Sequence, residues 1–230
     1  FLVRSLFFPL VAVVLFVFVW LLGGWTGVFS IARMLVQLVV IGYFLVYIFG
    51  AGDAWVICLV LAVMLAVASW ISLSPVRQSS RQLYPSVFLA LAIGGGSTLF
   101  IVTFGVLELD PWYEPRYMVP LAGMIFANCM NTVSISAERF ESEIANGHSM
   151  NSGKRMAFQA GMIPVINSMF AVGLVALPGM MTGQILSGIT PFVAARYQIV
   201  VMAMLFSASG LSAALYLQLV SRQNRNNPHQ

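Results

Sequence analysis

Charge is what this sequence has least of. Its 230 residues include eleven Lys and Arg and seven Asp and Glu, 8% of the chain, where a soluble domain carries about 25%. So few charges cannot cover a soluble monomer of this size. That excludes a soluble enzyme, a nucleic-acid binder and a disordered protein. Ionisable residues are almost absent from the apolar runs, apart from Arg33 at the start of one of them, which argues against a proton relay or a voltage sensor. Cysteine is scarce too. Cys58 and Cys129 lie within apolar runs with no metal-type spacing, so they read as small buried apolar residues. His148 and His229 fall in polar stretches with no carboxylate or Cys partner at ligand spacing, and no metal site is assigned. The sequence has no GxxxxGK[ST], no GxGxxG between strand and helix, and no HExxH, Ser-His-Asp or Cys-His arrangement. No residue is therefore assigned as catalytic, and any ATP hydrolysis belongs to another chain. An integral membrane enzyme has no reactive constellation in its favour.

What is present is apolar. Hydrophobic residues make up 60% of the chain and the mean hydropathy is +0.93. The apolar runs are continuous and close to 20 residues long, unlike the alternating strands of a membrane barrel. The expected fold is all-α, a polytopic transmembrane bundle of about seven spans forming one permease domain over residues 1–230. The spans are drawn at Leu6–Leu22, Ile31–Phe49, Ala54–Leu73, Ser86–Val106, Met118–Ser136, Gly161–Leu177 and Tyr197–Val220, each helical because backbone groups in hydrocarbon must bond within their own segment. No small-residue cleavage site follows Leu6–Leu22, so it does not read as a signal peptide. The start at Phe1 rather than Met carries the expectation that N-terminal residues precede it.

The loops give an orientation. Eight of the eleven basic residues (Arg33, Arg77, Arg81, Arg139, Lys154, Arg155, Arg222 and Arg225) fall in one set of loops. The other set holds Arg4, Arg116 and Arg196 with Asp53, Glu108, Asp110 and Glu114. Positive loops stay in the cytoplasm, which puts the N-terminus outside and the C-terminus inside, with Leu107–Tyr117 as an aromatic outer loop. The longest cytoplasmic stretch is about 137–160. A polar helix over Ala137–Ile144, with Glu138, Glu141 and Glu143 on a solvated face, leads into a turn or flexible loop from Asn146 to Gly153. Lys154 and Arg155 follow at the bilayer surface.

Amides are the recurrent polar groups of the spans: Gln37, Asn128, Asn131, Asn167 and Gln198. Asn128 and Asn131 share a helix face, and Gln37 lies one turn after Arg33. Such amides serve either interhelical hydrogen bonding or a polar pathway for a solute, and spacing alone leaves both open. Gly94-Gly95-Gly96 reads as a packing site. The thirteen Met read mostly as gap-filling core. The run Pro178-Gly179-Met180-Met181-Thr182-Gly183-Gln184 stands apart. It should break a helix between two apolar spans, and irregular backbone at membrane depth is tolerated only when buried in protein or lining a cavity.

Three stretches carry a resemblance: Ala32-Arg33-Met34-Leu35-Val36-Gln37-Leu38 with Gly42-Tyr43 and Tyr47-Ile48-Phe49; Val119-Pro120-Leu121-Ala122-Gly123-Met124-Ile125 with Asn128; and Gly161-Met162-Ile163-Pro164 through Asn167-Ser168-Met169, Leu177–Leu186, Gly188, Pro191 and Arg196-Tyr197-Gln198-Ile199. On these the sequence resembles the FetB-like permeases, the membrane half of iron-export ABC transporters, a group similar to a plant aluminium-tolerance half-transporter. The match covers nearly all of the chain after about Ile31. The resemblance implies a half-size permease of the bacterial inner membrane, pairing as two copies with two copies of a cytoplasmic ATPase that holds ATP and Mg. It also implies that the substrate is iron or a related metal or metal complex. Arg33, Gln37, Asn128, Asn131, Asn167, Met180, Met181 and Gln184 are the candidates for the translocation path, and Glu138, Glu141, Lys154 and Arg155 for coupling to the ATPase. The chain departs from the family at Ala145–Gly153, which is shorter and lacks a Leu-Gly-Ala turn. Either the coupling element is reduced or residues are missing from the sequence. The alternative is a stand-alone channel or secondary transporter without an ATPase.

Overall fold

The structure, a computed structural model, describes residues 24–50, 53–76 and 80–226. The first expected span, Leu6–Leu22, lies outside them. Seven α-helices are seen among the described residues: α1 (Gly24–Gly50), α2 (Ala54–Ser72), α3 (Ser80–Ile101), α4 (Pro115–Ala145), α5 (Met150–Ala171), α6 (Gly179–Leu186) and α7 (Pro191–Asn226). Five segments are long and apolar enough to cross a membrane: Phe29–Gly50, Ala54–Ser72, Gln82–Val106, Pro115–Ala145 and Pro191–Gln223. The polytopic helical bundle expected from the apolar runs is the fold observed. The chain divides into two compact units, Phe1–Gly52 and Asp53–Gln230. In the first, the described part is α1, an apolar helix that carries Arg33 and Gln37 one turn apart on exposed positions.

In the second unit α4 and α7 form the centre. Helices α2, α3, α5 and α7 all pack on α4, while α7 also holds α3, α5 and α6. The buried positions of α4 recur every three or four residues from Met118 through Leu121, Ile125, Cys129, Thr132, Ser136 and Phe140 to Glu143, the period that keeps one helix face turned inward. On α2 the complementary stripe is exposed: Trp55, Leu59, Val63, Val67 and Trp70. Those side chains suit lipid. Two hydroxyls of α2 are satisfied locally, whereas the buried Ser136 Oγ of α4 and Ser209 and Ser212 Oγ of α7 have no hydrogen-bond partner. Ser69 Oγ donates to the Leu65 carbonyl at 2.8 Å and Ser72 Oγ to Ala68 at 2.9 Å, the back-bond that lets Ser sit inside an apolar helix.

Two crossings depend on glycine. A Cβ at Gly94 on α3 would strike the Ser212 side chain on α7 and come within 2.6 Å of its backbone nitrogen. A Cβ at Gly161 on α5 would strike Ser136 on α4 and come within 2.7 Å of the Thr132 carbonyl oxygen. Small residues let membrane helices approach this closely. The packing expected of Gly94 and Gly95 is therefore observed, Gly95 lying against Ile125 and Phe126, whereas Gly96 faces open space. Helix α3 continues as a π-helical turn, Val102–Val106. Beyond it Phe104, Trp112 and Tyr113 form an aromatic chain with ring centroids 6.0 and 5.6 Å apart.

Two expectations change. The sixth span, drawn as Gly161–Leu177, is not helical over that range: α5 runs Met150–Ala171, and Val172–Pro178 is a turn. The Val172 cap is extended and Gly173 takes φ +81°, a left-handed conformation that ends helices. At its other end α5 takes in Asn151, Ser152, Lys154 and Arg155, so it is not among the five apolar spans. The flexible loop expected over 146–153 shrinks to a turn of 146–149, because Ser149 caps α5 by accepting a hydrogen bond from the Ser152 backbone N–H at 3.3 Å.

Candidate functional site

The path candidates fall into three groups. Arg33 and Gln37 belong to α1 and are described with that unit alone. Asn128 and Asn131 lie on α4, where Asn128 is half-buried and Asn131 exposed. The Asn128 side-chain amide donates to the Met124 carbonyl of its own helix at 2.9 Å, an intrahelical bond rather than an interhelical one. Asn167 is exposed on α5. Met180, Met181 and Gln184 lie on the short helix α6, all half-buried.

The backbone around α6 is broken twice. Upstream is the turn at Val172–Pro178. Downstream Gly188 at φ +90° closes a Schellman turn: the Ile189 N–H donates to the Gln184 carbonyl and the Gly188 N–H to Ile185, both at 3.0 Å. That arrangement satisfies the last carbonyls of α6 and sends the chain on to Pro191, the first residue of α7. The break predicted at Pro178–Gln184 thus exists, though it lies on either side of the run. Pro178 caps α6 and the run itself is helical.

Two side chains at this end carry buried oxygen atoms without a hydrogen-bond partner, Gln184 Oε1 and Gln198 Oε1. Gln198 is 6% exposed. An unpaired buried amide oxygen costs about 1–3 kcal/mol; the hydroxyls of Ser136 on α4 and of Ser209 and Ser212 on α7 are buried without a partner as well. Met181 and Gln198 line one cavity of about 370 Å³ together with Met169 and Met202. Asn128, Asn131, Asn167, Met180 and Gln184 are not among its lining residues. The sequence reading noted Gln198 among the amides without selecting it, and missed Met169 and Met202. The i,i+4 spacing of Gln198 and Met202 on α7 was the available signal.

The coupling candidates lie at the other end of α5. Glu138 and Glu141 are on α4, exposed and half-buried; Lys154 and Arg155 are on α5, half-buried and exposed. Glu141 lines a second cavity, about 200 Å³, with Phe140, Ile144 and Tyr216. Glu143, taken as part of a solvated acidic face, is instead buried. Its carboxylate, 4% exposed, pairs with Arg139 at 2.5 Å and with His148 Nδ1 at 2.8 Å. His148, read as having no carboxylate partner at ligand spacing, therefore has one. The reason is the turn: Gly147 at φ +83° lets the His148 N–H donate to the Glu143 carbonyl at 3.1 Å and the Gly147 N–H to Ile144 at 3.0 Å. This second Schellman turn folds the imidazole back over Glu143. Among the described residues no group of three or more His, Cys, Asp and Glu is placed to hold a metal ion.

A bundle of apolar helices with a twice-broken segment and unpaired amides at one end defines a polytopic helical membrane protein. The chain belongs to the Uncharacterised protein family (UPF0014), whose model matches residues 2–224. It is 34% identical over 221 residues to a UPF0014 membrane protein of Synechocystis, covering 90% of this chain and 84% of that protein. It is 31% identical to the Probable iron export permease protein FetB of Escherichia coli, covering 87% of this chain and 82% of FetB. To the protein ALUMINUM SENSITIVE 3 of Arabidopsis thaliana it is 31% identical, over 81% of this chain and 72% of that one. The family resemblance seen in the sequence motifs is thus established. No solved structure matches.

Proposed function

We propose that the chain is the membrane-spanning permease subunit of an ABC transporter of the bacterial inner membrane, exporting iron or a related metal or metal complex, with ATP and Mg on a separate ATPase subunit. The observation that carries this reading is the 31% identity to a protein named as an iron export permease, along 82% of that protein's length. The lack of any nucleotide-binding signature in the sequence fits a partner that hydrolyses ATP. Two copies of the chain pair with two ATPases. The α4–α5 turn is the coupling element, with Glu138, Glu141, Lys154 and Arg155 meeting the ATPase and the Glu143 contacts with Arg139 and His148 holding the turn rigid. ATP binding draws the coupling ends together, and the displacement travels along α4 and α5 to the broken segment around α6.

The path candidates are Arg33, Gln37, Asn128, Asn131, Asn167, Met180, Met181 and Gln184. These groups are amides, thioethers and one guanidinium. A bare iron ion prefers carboxylates, and the described residues offer no acidic cluster, which favours a complexed metal as the species that moves. Arg33→Ala and Asn128→Leu should lower transport without lowering membrane insertion; normal transport by the purified, reconstituted variants would remove both residues from the path.

The test of the whole reading is a mild-detergent pull-down of the chain with its native partners, followed by an ATPase assay with and without ferrous iron. A co-purifying ATPase that iron stimulates is the expected result. A chain that purifies without any ATPase yet conducts in liposomes would overturn it in favour of a stand-alone channel or secondary transporter, the reading that the short turn at 146–149 favours.

A further inference from the structure

We infer that the groove between α5 and α7 binds an anionic phospholipid, an acyl chain lying in the groove and the headgroup meeting Lys154, Arg155 and Arg222. This goes beyond the proposed transport role and does not depend on it. The groove has a volume of about 560 Å³, and its wall is apolar: Phe158, Met162 and Ile166 of α5 line it with Phe206, Gly210 and Leu211 of α7. A Cβ at Gly210 would meet only the end of the Met162 side chain, at 3.8 Å. That glycine leaves room in the groove, unlike Gly94 and Gly161, which make close crossings.

The two helices run antiparallel along it. Residues 158–166 of α5 share this groove with residues 206–211 of α7, and Met169 and Val172 further along α5 share a cavity with residues 195–203 of α7. The start of α5 therefore lies beside the later turns of α7. From the meeting of Met162 with Gly210, Arg155 lies seven residues back on α5 and Gln218 eight residues on along α7, about 10 and about 12 Å by the helical rise. Arg222 is one turn further. Lys154 precedes Phe158 by one turn, Arg155 precedes Gln159 by one turn, and Arg222 follows Leu211 by three, spacings that return to the same helix face. Arg155 and Arg222 are exposed and Lys154 is half-buried. None of the three takes part in the ion pairs formed among the described residues. Neither helix contains an Asp or Glu. The carboxylates of this end, Glu138, Glu141 and Glu143, belong to α4 and do not line the groove.

An apolar groove between membrane helices that ends in unpaired basic residues is the pattern that holds anionic lipid headgroups. A zwitterionic lipid fills the groove but brings no net charge to the three cations. A free phosphate ion meets the cations but leaves the groove unfilled. A second copy of the chain on this face, related by a two-fold axis, would set its own Arg155 and Arg222 against those of the first, placing like charges beside the apolar contact. On the orientation the loop charges imply, this end is cytoplasmic, on the leaflet whose surface is negative.

The test uses the full chain without an ATPase, so that the coupling role proposed for Lys154 and Arg155 does not interfere. Native mass spectrometry in a mild detergent reads the binding of dioleoyl phosphatidylglycerol and dioleoyl phosphatidylcholine, which share their acyl chains, and of glycerol phosphate, which has none. The expected result is phosphatidylglycerol bound about tenfold more tightly than phosphatidylcholine, with no binding of glycerol phosphate at the same concentration. The combined K154Q, R155Q and R222Q variant should bring phosphatidylglycerol down to the affinity of phosphatidylcholine and leave the latter unchanged. Gly210→Leu, which fills the groove without touching a cation, should weaken both lipids several-fold. Equal affinities on the unsubstituted chain would overturn the inference without recourse to any variant. So would a preference that survives the triple substitution, or lipid binding that survives Gly210→Leu, in a protein of unchanged helical circular dichroism. Glycerol phosphate bound as tightly as the lipid would replace the lipid by a free phosphate. A detergent-stable dimer that Gly210→Leu converts to a monomer, with no lipid preference, would replace it by a second copy of the chain.

Discussion

The two ends of α5 solve the same problem, turning the chain back into the bundle, in opposite ways. At the N-terminal end the connection to α4 takes four residues, and its polar groups are paired: Glu143 with Arg139 and His148, Ser149 with the Ser152 N–H, and the last carbonyls of α4 with the N–H groups of Gly147 and His148. At the C-terminal end the chain takes Val172–Thr190 to reach α7, breaks helix twice, and leaves Gln184 and Gln198 with buried unpaired oxygens. Saturated polar groups make a rigid connector, which suits a lever. Unsaturated polar groups cost stability and persist where something else uses them. Under the proposed function, the contrast fits force transmission at one end and ligand contact at the other.

Substitutions can break or sharpen this contrast. The largest effect is expected between the two ends, where α5 touches α4. Gly161→Ala places a Cβ against the Thr132 carbonyl and the Ser136 side chain, and overpacking of this kind costs about 1–3 kcal/mol. Its thermal midpoint in detergent should fall clearly, while Gly96→Ala, which faces open space, should stay near the parent value. Next is the connector. Glu143→Gln removes the charge that holds Arg139 and His148, at a cost of about 1–3 kcal/mol. Hydrogen exchange over residues 144–153 should speed up by tenfold or more, with little change in α7. A smaller loss, about 1 kcal/mol, follows from Ser149→Ala, which removes the cap of α5; faster exchange confined to the first turn of that helix is the signature.

Much of this fold could be read in advance, for physical reasons. Helices α2, α4 and α7 follow from apolar runs that have to satisfy their own backbone. The Asn146-Gly147 pair announced a turn and Gly94 a close crossing. The sequence hid whatever depended on a tertiary neighbour or on one backbone angle. Gly173 looked like any glycine in an apolar run, so the sixth span was drawn through it. Glu143 looked solvated because its partner His148 reaches it only after Gly147 turns left-handed. The likeness of the Pro178–Gln184 run to the FetB-like permeases drew attention to this end of the molecule. It did not reveal that Gln198, from the next helix, would face the same region with Met169 and Met202.

The smallest predicted effect on stability has the opposite sign from the others, and it tests the central claim most directly. Gln184→Leu removes a buried oxygen that has no partner, so it should leave the thermal midpoint unchanged or raise it. On the proposed function, iron efflux by that variant should fall several-fold in proteoliposomes containing the chain and the proposed ATPase. A lower midpoint with normal efflux would contradict the account, because it would make Gln184 a structural group like Glu143 and erase the difference between the two ends of α5.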